Sequence, residues 1–476
     1  MVLFFAALII VALAALSLGL VNLATLEYKT VAHHGQTAQL VQIVHSGIEA
    51  AAYAIDDPLH PDLANNPERF HMIEVLLAGF TSHALGSGRF TVFSPRLEQD
   101  QLSGIRFGLT RESAKLSLES VLAWETESPG QGVRALEKLS GITPEIIDSI
   151  LDWLDADDNA RPQGAESAYY QQQQKSYHSR NAVPVALEEL LLIRGVQRSL
   201  LFGEDHQLAF GATQSTLRNV AASPSDGANP FAPLLSSIAV SNSQRSNGQR
   251  LDTASAWQFL LTPYSAEKLV NAQGVVRIFL NESNLEFLES QLRLHQIDEE
   301  SIKFITTWRR ERGNIDDPLD LLDAEITVGE TAMTSPFSCS EPAKYERFLR
   351  LLDEATTESA IVLRGRINVN EASRLVLEAV PELTPELVTA ILERRDGNPA
   401  VRRHTVWLLA EQVVDLEQMK TLSCRLTTGG DVYRIQVVGF FDDNPMFYRA
   451  EAVLDATVKP PKTVFYKDLT PLGMPE

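Results

Sequence analysis

The sequence predicts an α+β fold in which a long N-terminal helix precedes a small antiparallel sheet, with helical blocks inserted between the strands. Three observations predict it. An uncharged apolar run at residues 2–21 continues into a helical pattern, the middle of the chain repeats a strand–helix–helix pattern, and the C-terminal part alternates apolar and polar residues. A spacing of three or four residues indicates a helix, whereas strict alternation indicates a strand, so the two ends of the chain differ in type.

The first element is the N-terminal helix. The run from Val2 to Val21 would span about 30 Å as a helix, which is one hydrocarbon thickness. Apolar residues continue at helical spacing to Ile55, and the first proline is Pro58, so we expect the helix to reach residue 56. Three interpretations stay open: a cleaved secretory signal, a plain single-span anchor, and a pilin-like helix that later packs into a filament. A signal would begin with a basic region, but the first basic residue is Lys29.

The length and composition of the chain limit its domain number, its partners and its disulfide bonds. The protein has 476 residues and a net charge of −21, and all 41 basic residues follow the apolar run. This length suits several domains, and the acidic body disfavours nucleic acid as a partner, because phosphates need a cluster of basic residues. Two cysteines, Cys339 and Cys424, are too few for a disulfide framework, and whether they pair stays open.

A repeat organises the middle of the chain. Three stretches that begin at Lys115, Arg277 and Arg366 each predict a short strand followed by two helices. The second helix of the first and third copies begins with Thr-Pro-Glu, in which Thr143 or Thr384 would cap the helix and proline would occupy its first position. These units look like helix-hairpin-helix or SAM-like domains. Such hairpins often bind DNA through a glycine turn, but basic residues are sparse here, so packing modules are favoured.

The C-terminal part predicts a β-hairpin, with alternation from Tyr433 to Val437, a turn at 442–445 and a returning strand from Phe447 to Val458. We therefore divide the chain into six parts. They are an N-terminal transmembrane helix (1–56), the first strands of the sheet (57–118), a first helical domain (119–202), a flexible Ser/Asn/Gly-rich insertion (203–255), a second helical domain with repeats (256–424) and the C-terminal hairpin (425–476).

The densest group of polar residues lies at 147–170, where six acidic side chains fall close together. Asp155, Asp157 and Asp158 follow a predicted helix end, where the helix dipole disfavours negative charge, so a hard cation would relieve them. Calcium prefers oxygen ligands of this kind, and Glu166 is the fourth candidate ligand. The spacing is not that of an EF-hand, and a solvated acidic turn with Arg161 or Arg180 as counter-ion is the alternative.

The sequence carries no GxSxG, HExxH, Walker A or CxxC motif. We therefore expect no enzyme activity, no catalytic residues, no cofactor besides the possible calcium, and no small-molecule substrate.

Residues 139–170 and the following segment 181–196 resemble the protein K family of type II secretion, the large minor pseudopilin. Residues 108–118 and 366–380 are similar to the family's segments that lead into its two helical domains, and the terminal hairpin is similar to a pilin sheet. The resemblance implies a pilin-like core with helical domains inserted. It also implies that members can bind calcium in the helical domain, which we assign here to the acidic group.

The resemblance implies a function as well. Such a protein would be held in the bacterial inner membrane by residues 2–21, with its body in the periplasm. It would cap the tip of the pseudopilus together with minor pseudopilins I and J and so support protein secretion across the outer membrane. The alternative is a membrane-tethered helix-hairpin-helix module of a related pilus or competence system that binds DNA or protein.

Overall fold

The computed structural model describes residues 2–56, 73–75, 88–98, 101–203, 256–395, 402–441 and 444–472. The strands are β1 (Ile73–Val75), β2 (Gly88–Glu98), β3 (Gln101–Phe107), β4 (Thr110–Arg111), β5 (Leu116–Ser117), β6 (Leu261–Thr262), β7 (Ala266–Lys268), β8 (Ile278–Phe279), β9 (Glu325–Val328), β10 (Thr331–Thr334), β11 (Ala355–Thr356), β12 (Val362–Arg364), β13 (Ile367–Asn368), β14 (Leu426–Thr427), β15 (Val432–Phe441), β16 (Asn444–Asp455) and β17 (Lys462–Asp468).

The α-helices of the described residues are α1 (Val2–Asp56), α2 (Leu118–Glu127), α3 (Gln131–Leu136), α4 (Pro144–Leu154), α5 (Ser167–Tyr170), α6 (Arg198–Phe202), α7 (Trp257–Leu260), α8 (Leu285–Leu294), α9 (Glu299–Glu311), α10 (Pro342–Glu354), α11 (Arg374–Glu378), α12 (Pro385–Arg394), α13 (Trp407–Ala410) and α14 (Leu416–Ser423). The predicted α+β fold with a long N-terminal helix is confirmed. The predicted insertion at 203–255 lies almost entirely outside the described residues.

Helix α1 is continuous over 55 residues, as predicted. Its described side chains are exposed up to Gly35, and burial begins at Leu40. From there one face packs on the sheet through Leu40, Val44 and Ile48. The approach is close, because a Cβ atom added to Gly47 would lie 2.6 Å from Val437 Cγ1. Glycine at this position therefore sets the distance between the helix and the sheet.

The main sheet has seven strands in the order β1-β2-β15-β16-β17, with β3 paired to β2 and β4 paired to β15. All of these pairs are antiparallel. The predicted C-terminal hairpin is confirmed as β15 and β16, paired from Val432↔Asp455 to Phe441↔Asn444, and the sheet is larger than predicted. Ile435 and Val437 of β15 face α1. Side chains on the alternate positions, such as Arg434, face the helical domains instead.

The helical domains are inserted between β4 and β15 as three repeated units. Each unit begins with a short strand that pairs in parallel with the strand that closes the unit: β5 with β6, β8 with β11 and β13 with β14. The closing strands end in Thr262, Thr356 and Thr427, respectively. The predicted repeat is therefore present in the structure, and the region from 256 to 427 contains two complete units and the end of the first.

Local capping explains where the helices begin. Thr143 accepts a hydrogen bond from Ile146 N at 3.3 Å, and Thr384 accepts one from Leu387 N at 3.4 Å, each with proline at the first helical position. Both predicted caps are confirmed. In the described residues both Cys339 and Cys424 are free thiols.

Candidate metal centre

The acidic group lies where α4 ends and the chain returns to α5. Helix α4 is fixed in the core of the first helical domain by Ile147, Ile150 and Leu151, which are all buried. This packing turns Asp152 inward, so that its side chain is fully buried, whereas Asp155 caps the helix end. The loop that follows brings Glu166 back beside them.

One carboxylate oxygen from each of Asp152, Asp155 and Glu166 lies within 4.8 Å of the other two. Asp152 and Glu166 are 0% and 3% exposed. Three carboxylates that converge in this way would repel one another if all were ionised. Two of them are buried, and a buried charge is costly unless it is paired.

Asp152 is held in place by the loop. Its two carboxylate oxygens accept hydrogen bonds from Arg161 N at 3.1 and 3.2 Å. A Cβ atom on Gly164 would lie only 1.9 Å from Asp152 Oδ2, so a glycine is required there. The Arg161 guanidinium is directed mainly at Glu125, at 3.1 Å, and stays 3.9 Å from Asp152. The nearest arginine therefore neutralises the group only in part.

Glu166 is satisfied on one side only. Its Oε2 accepts a hydrogen bond from Ser179 Oγ at 2.8 Å, whereas its Oε1 is buried and has no hydrogen-bond partner. A buried acceptor without a donor costs about 1–3 kcal/mol. That oxygen belongs to Glu166, one of the three residues whose carboxylates converge, so it could serve as a ligand for a cation.

The pKa values of all three carboxyl groups are raised. The pKa of Asp152 is raised to about 6, chiefly by burial and also by repulsion from Asp155 and Asp148, although the hydrogen bond from Arg161 N and the charge of Arg161 oppose the rise. Burial also raises the pKa of Glu166 to about 7, with added repulsion from Asp152 and Asp155. The pKa of Asp155 is raised as well, chiefly by desolvation. The group therefore favours a bound proton or a bound cation, and three oxygen ligands suit a hard cation such as calcium.

The structure brings together two of the four predicted ligands, Asp155 and Glu166. Asp157 and Asp158 lie on the exposed loop, where Asp157 Oδ1 accepts from Asn159 N at 2.7 Å and Asp158 Oδ1 accepts from Asn181 Nδ2 at 3.2 Å. The sequence prediction did not include Asp152 among the ligands. The signal was available, because Asp152 precedes Asp155 by three residues and so shares its side of the helix end.

Helix α1 is the second functional feature. It is long and apolar enough to cross a membrane by length and composition, and none of its most apolar window is buried. Apolar side chains such as Leu3, Val11 and Leu20 are between 66% and 87% exposed. The chain therefore has a candidate membrane anchor joined directly to the helix that packs on the sheet.

Comparisons with known proteins agree with the resemblance seen in the sequence. A family model described as type II secretion system (T2SS), protein K, matches residues 115–201. The putative type II secretion system protein K of Escherichia coli (strain K12) is 40% identical over 60 residues, which cover 13% of this chain and 18% of that relative. The matched segment thus spans less than a fifth of the relative's length.

A solved structure is also similar. The GspK-GspI-GspJ complex from the enterotoxigenic Escherichia coli type 2 secretion system aligns with 91% of this chain and 97% of its own, at 9% identity and a TM-score of 0.35. The matched domain at 115–201 contains all three carboxylates of the candidate metal centre. Residues 115–201 of this chain are thus similar to a domain of the type II secretion system protein K family.

Proposed function

We propose that this chain is a non-enzymatic minor pseudopilin that caps the tip of a type II secretion pseudopilus and supports protein secretion across the outer membrane. The observation that carries the proposal is the division of α1. Its first part is apolar and exposed, and its second part packs one face on the sheet from Leu40 onward. A helix of this kind can wait in the bilayer and later exchange lipid contacts for contacts with neighbouring helices.

The division of α1 into an exposed apolar part and a part packed on the sheet also supports a location in the inner membrane. The apolar part of α1 crosses the inner membrane, and the acidic body that follows lies in the periplasm. Because the sheet begins to cover α1 only at Leu40, a stretch of bare helix separates the membrane from the body. The body can then join a growing filament without leaving its anchor.

The position at the tip rests on the bulk of the helical domains. They cover the face of the sheet opposite α1, where Ala266 and Val362 pack with Val432 and Val453. A buried ionic contact between Glu112 and Arg434 joins the domains to β15. The helical domains take up most of the chain between β4 and β15, and buried contacts attach them to the sheet. A subunit with so large a head fits at the end of a thin filament but not at every step along it.

Minor pseudopilins I and J are the proposed partners. The solved relative is a complex of GspK with GspI and GspJ. In this chain, the side of α1 that faces away from the sheet carries Tyr53, which is 74% exposed, and offers a surface for neighbouring helices.

The test is co-purification of the full chain in detergent with the I-type and J-type minor pseudopilins of the same organism. We expect a 1:1:1 complex, and a chain lacking residues 2–21 should fail to support secretion in cells. A folded chain that binds neither partner, or normal secretion in cells that lack this chain, would contradict the proposal.

We further infer that Asp152, Asp155 and Glu166 take a divalent cation, with calcium the expected ion. The specific observation in its favour is Glu166 Oε1, which is buried without a hydrogen-bond donor. The chemistry is structural, because the ion would tie the end of α4 to the loop before α5. Asp157 and Asp158 remain the further predicted ligands from the exposed part of the loop.

A further inference from the structure

Helix α8 of the second repeated unit carries an exposed apolar face. Phe287 and Leu294 lie seven residues apart and are 51% and 72% exposed. Residues at this spacing share one side of a helix, and Ser290 and Gln291 lie between them. Together these four residues form the α8 face. Neither Phe287 nor Leu294 packs in the hydrophobic core of the described residues.

The third unit contains an equivalent helix, α11, whose corresponding face is covered. Asn284 caps α8 by accepting a hydrogen bond from Phe287 N, and Ser373 caps α11 by accepting one from Val376 N. Phe287 and Val376 therefore occupy the same position of their helices. Val376 is only 2% exposed, because it faces the first unit. The side chains that line the same narrow gap include Leu116, Leu139 and Leu260.

The far ends of the two helices are equivalent as well. Gln296 and Glu382 both have a positive φ, of 57° and 72°, and the residue two positions later caps the next helix in each unit. Counted from these turns, Leu294 corresponds to Val380, which is 2% exposed. The two apolar positions that the third unit buries are therefore open in the second unit, where larger side chains fill them.

The charges around the α8 face disfavour a second copy of the chain as its cover. Arg293 is the one basic residue of α8, and it pairs with Glu289 at 3.4 Å and with Glu299 at 2.8 Å. Glu286 lies one turn from Ser290 and adds a negative charge at the edge of the face. Two such faces would repel each other at their edges, so the covering surface should be apolar and free of acidic residues.

One segment of the chain itself has this composition. The insertion at 203–255 is rich in polar residues, but residues 231–240 read FAPLLSSIAV. Residues 227–251 contain no acidic residue and include Arg245 and Arg250. Burial of apolar surface is favourable by about 25 cal/mol per Å², so both this segment and the α8 face would gain from a contact that removes them from water.

The ends of the insertion allow residues 231–240 to reach α8. The main-chain oxygen of Phe202, just before the insertion, accepts a hydrogen bond from Gln258 Nε2, just after it, at 3.4 Å. The insertion therefore leaves and re-enters the body at one place. Residues 241–255 can span about 50 Å when extended. This is about the diameter of a compact domain of some 250 residues, so α8 lies within reach.

We propose that residues 231–240 of the insertion lie on the α8 face and cover Phe287 and Leu294. The second unit then gains an apolar cover of the kind that the first unit gives to Val376 in the third. The two arginines that follow the segment come near the acidic edge of α8. The contact ties the insertion to the second helical unit of the same chain.

The experiment places pairs of cysteines in the full chain, purified in detergent after Cys339 and Cys424 have been replaced by serine. Ser290→Cys lies in the middle of the α8 face, and Ser237→Cys lies in the proposed cover, so both keep the apolar side chains. The control pairs Ser237→Cys with Glu393→Cys, which is exposed on α12. Mass spectrometry measures disulfide formation under mild oxidation. We expect the first pair to react at least about tenfold faster, because burial of two large apolar side chains favours the docked state by more than that factor.

A second change tests the apolar contact itself. Leu234→Ser/Leu235→Ser/Ile238→Ser should slow the Ser237→Cys/Ser290→Cys disulfide to the rate of the control pair and leave the melting curve of the body unchanged. Equal rates for the two cysteine pairs, or no effect of the triple change, would overturn the proposal. So would a disulfide that joins two chains, which assigns the face to a second copy. Protection of Ser290→Cys from a maleimide only after the I-type and J-type subunits are added would assign the face to them and equally overturn it.

Discussion

Glu112 and Arg434 form an ion pair of 2.7 Å although they are 322 residues apart in the chain. Glu112 lies in the turn that leads into the helical domains, and Arg434 lies on β15. Lys115 Nζ approaches the same carboxylate at 3.2 Å, and Thr262 donates a hydrogen bond to it from the strand that closes the first unit. One buried carboxylate thus joins the sheet to both ends of the first helical unit.

Replacement of Glu112 by Gln should destabilise the protein by about 3 kcal/mol, because Arg434 and Lys115 would keep their buried charges without the carboxylate that offsets them. The free energy of unfolding from denaturant titration measures this. The exposed variant Glu393→Gln is the control and should change it by less than about 0.5 kcal/mol. Equal destabilisation by the two variants would show that the buried pair adds nothing.

The same pair predicts a pH dependence. Burial alone would raise the pKa of Glu112, but Arg434 and Lys115 outweigh burial and lower it to about 2. A carboxyl group whose pKa is lower in the folded state than in the unfolded state stabilises the fold above its unfolded value and loses that contribution as the pH falls. The difference in stability between the wild type and Glu112→Gln should therefore be full above about pH 5 and shrink steadily below pH 4. A difference that stays constant down to pH 3 would contradict the assignment.

The sequence predicts well those features that local pattern determines. Helix α1, the hairpin of β15 and β16, and the Thr143 and Thr384 caps depend on residues close together in the chain. The pairing of Glu112 with Arg434 depends on the closed fold and leaves no local pattern. Asn281 is another example. Its side chain binds the main chain of Ile315, 34 residues farther along the chain, with two hydrogen bonds of 2.8 Å.

The three carboxylates of the candidate metal centre were predicted only in part, for the same reason. The crowding of acidic residues identifies the loop, and this loop does contain Asp155 and Glu166. Which oxygens converge is decided by the packing of α4, which buries Asp152, and by Gly164, which lets the loop approach it. Neither the burial nor the approach can be read from the spacing of the acids.

Calcium should stabilise the protein against heat and denaturant. A ligand at 100 times its Kd adds about 2.7 kcal/mol, provided that it binds only the folded state. Asp152→Asn should remove most of this response, whereas Glu393→Gln should retain it. Melting curves of the full chain in detergent, with calcium and with a chelator, measure the effect. Superimposable curves for the wild type would exclude the site.

Without the ion, the centre should respond to pH in the direction opposite to Glu112. The pKa of Glu166 is raised to about 7, mainly by burial, so the folded state holds a proton that the unfolded state has already released. Stability in chelator should therefore fall as the pH rises from about 5 to 7 and then level off. Glu166→Gln removes the share of this loss that comes from Glu166 and should stabilise the ion-free protein at pH 8 by about 2 kcal/mol, while abolishing the calcium response. A variant less stable than the wild type in chelator at pH 8 would contradict this account.

The close approach of α1 to the sheet gives a prediction with an internal control. A Cβ atom on Gly47 would lie 2.6 Å from Val437 Cγ1 and 2.9 Å from Phe90 Cδ2, so Gly47→Ala must push the helix away from β15 or displace both side chains. Overpacking of this kind costs about 1–3 kcal/mol. Gly35→Ala meets nothing within 4 Å and should be neutral or slightly stabilising, since alanine favours a helix over glycine by about 1 kcal/mol.

Limited proteolysis of the full chain compares the two variants. Both replace glycine by alanine in the same helix, so a difference in cleavage rate reports the packing of α1 on the sheet and not helix propensity. Faster cleavage at α1 is expected for Gly47→Ala alone, and equal rates would mean that the helix does not sit on the sheet at this distance.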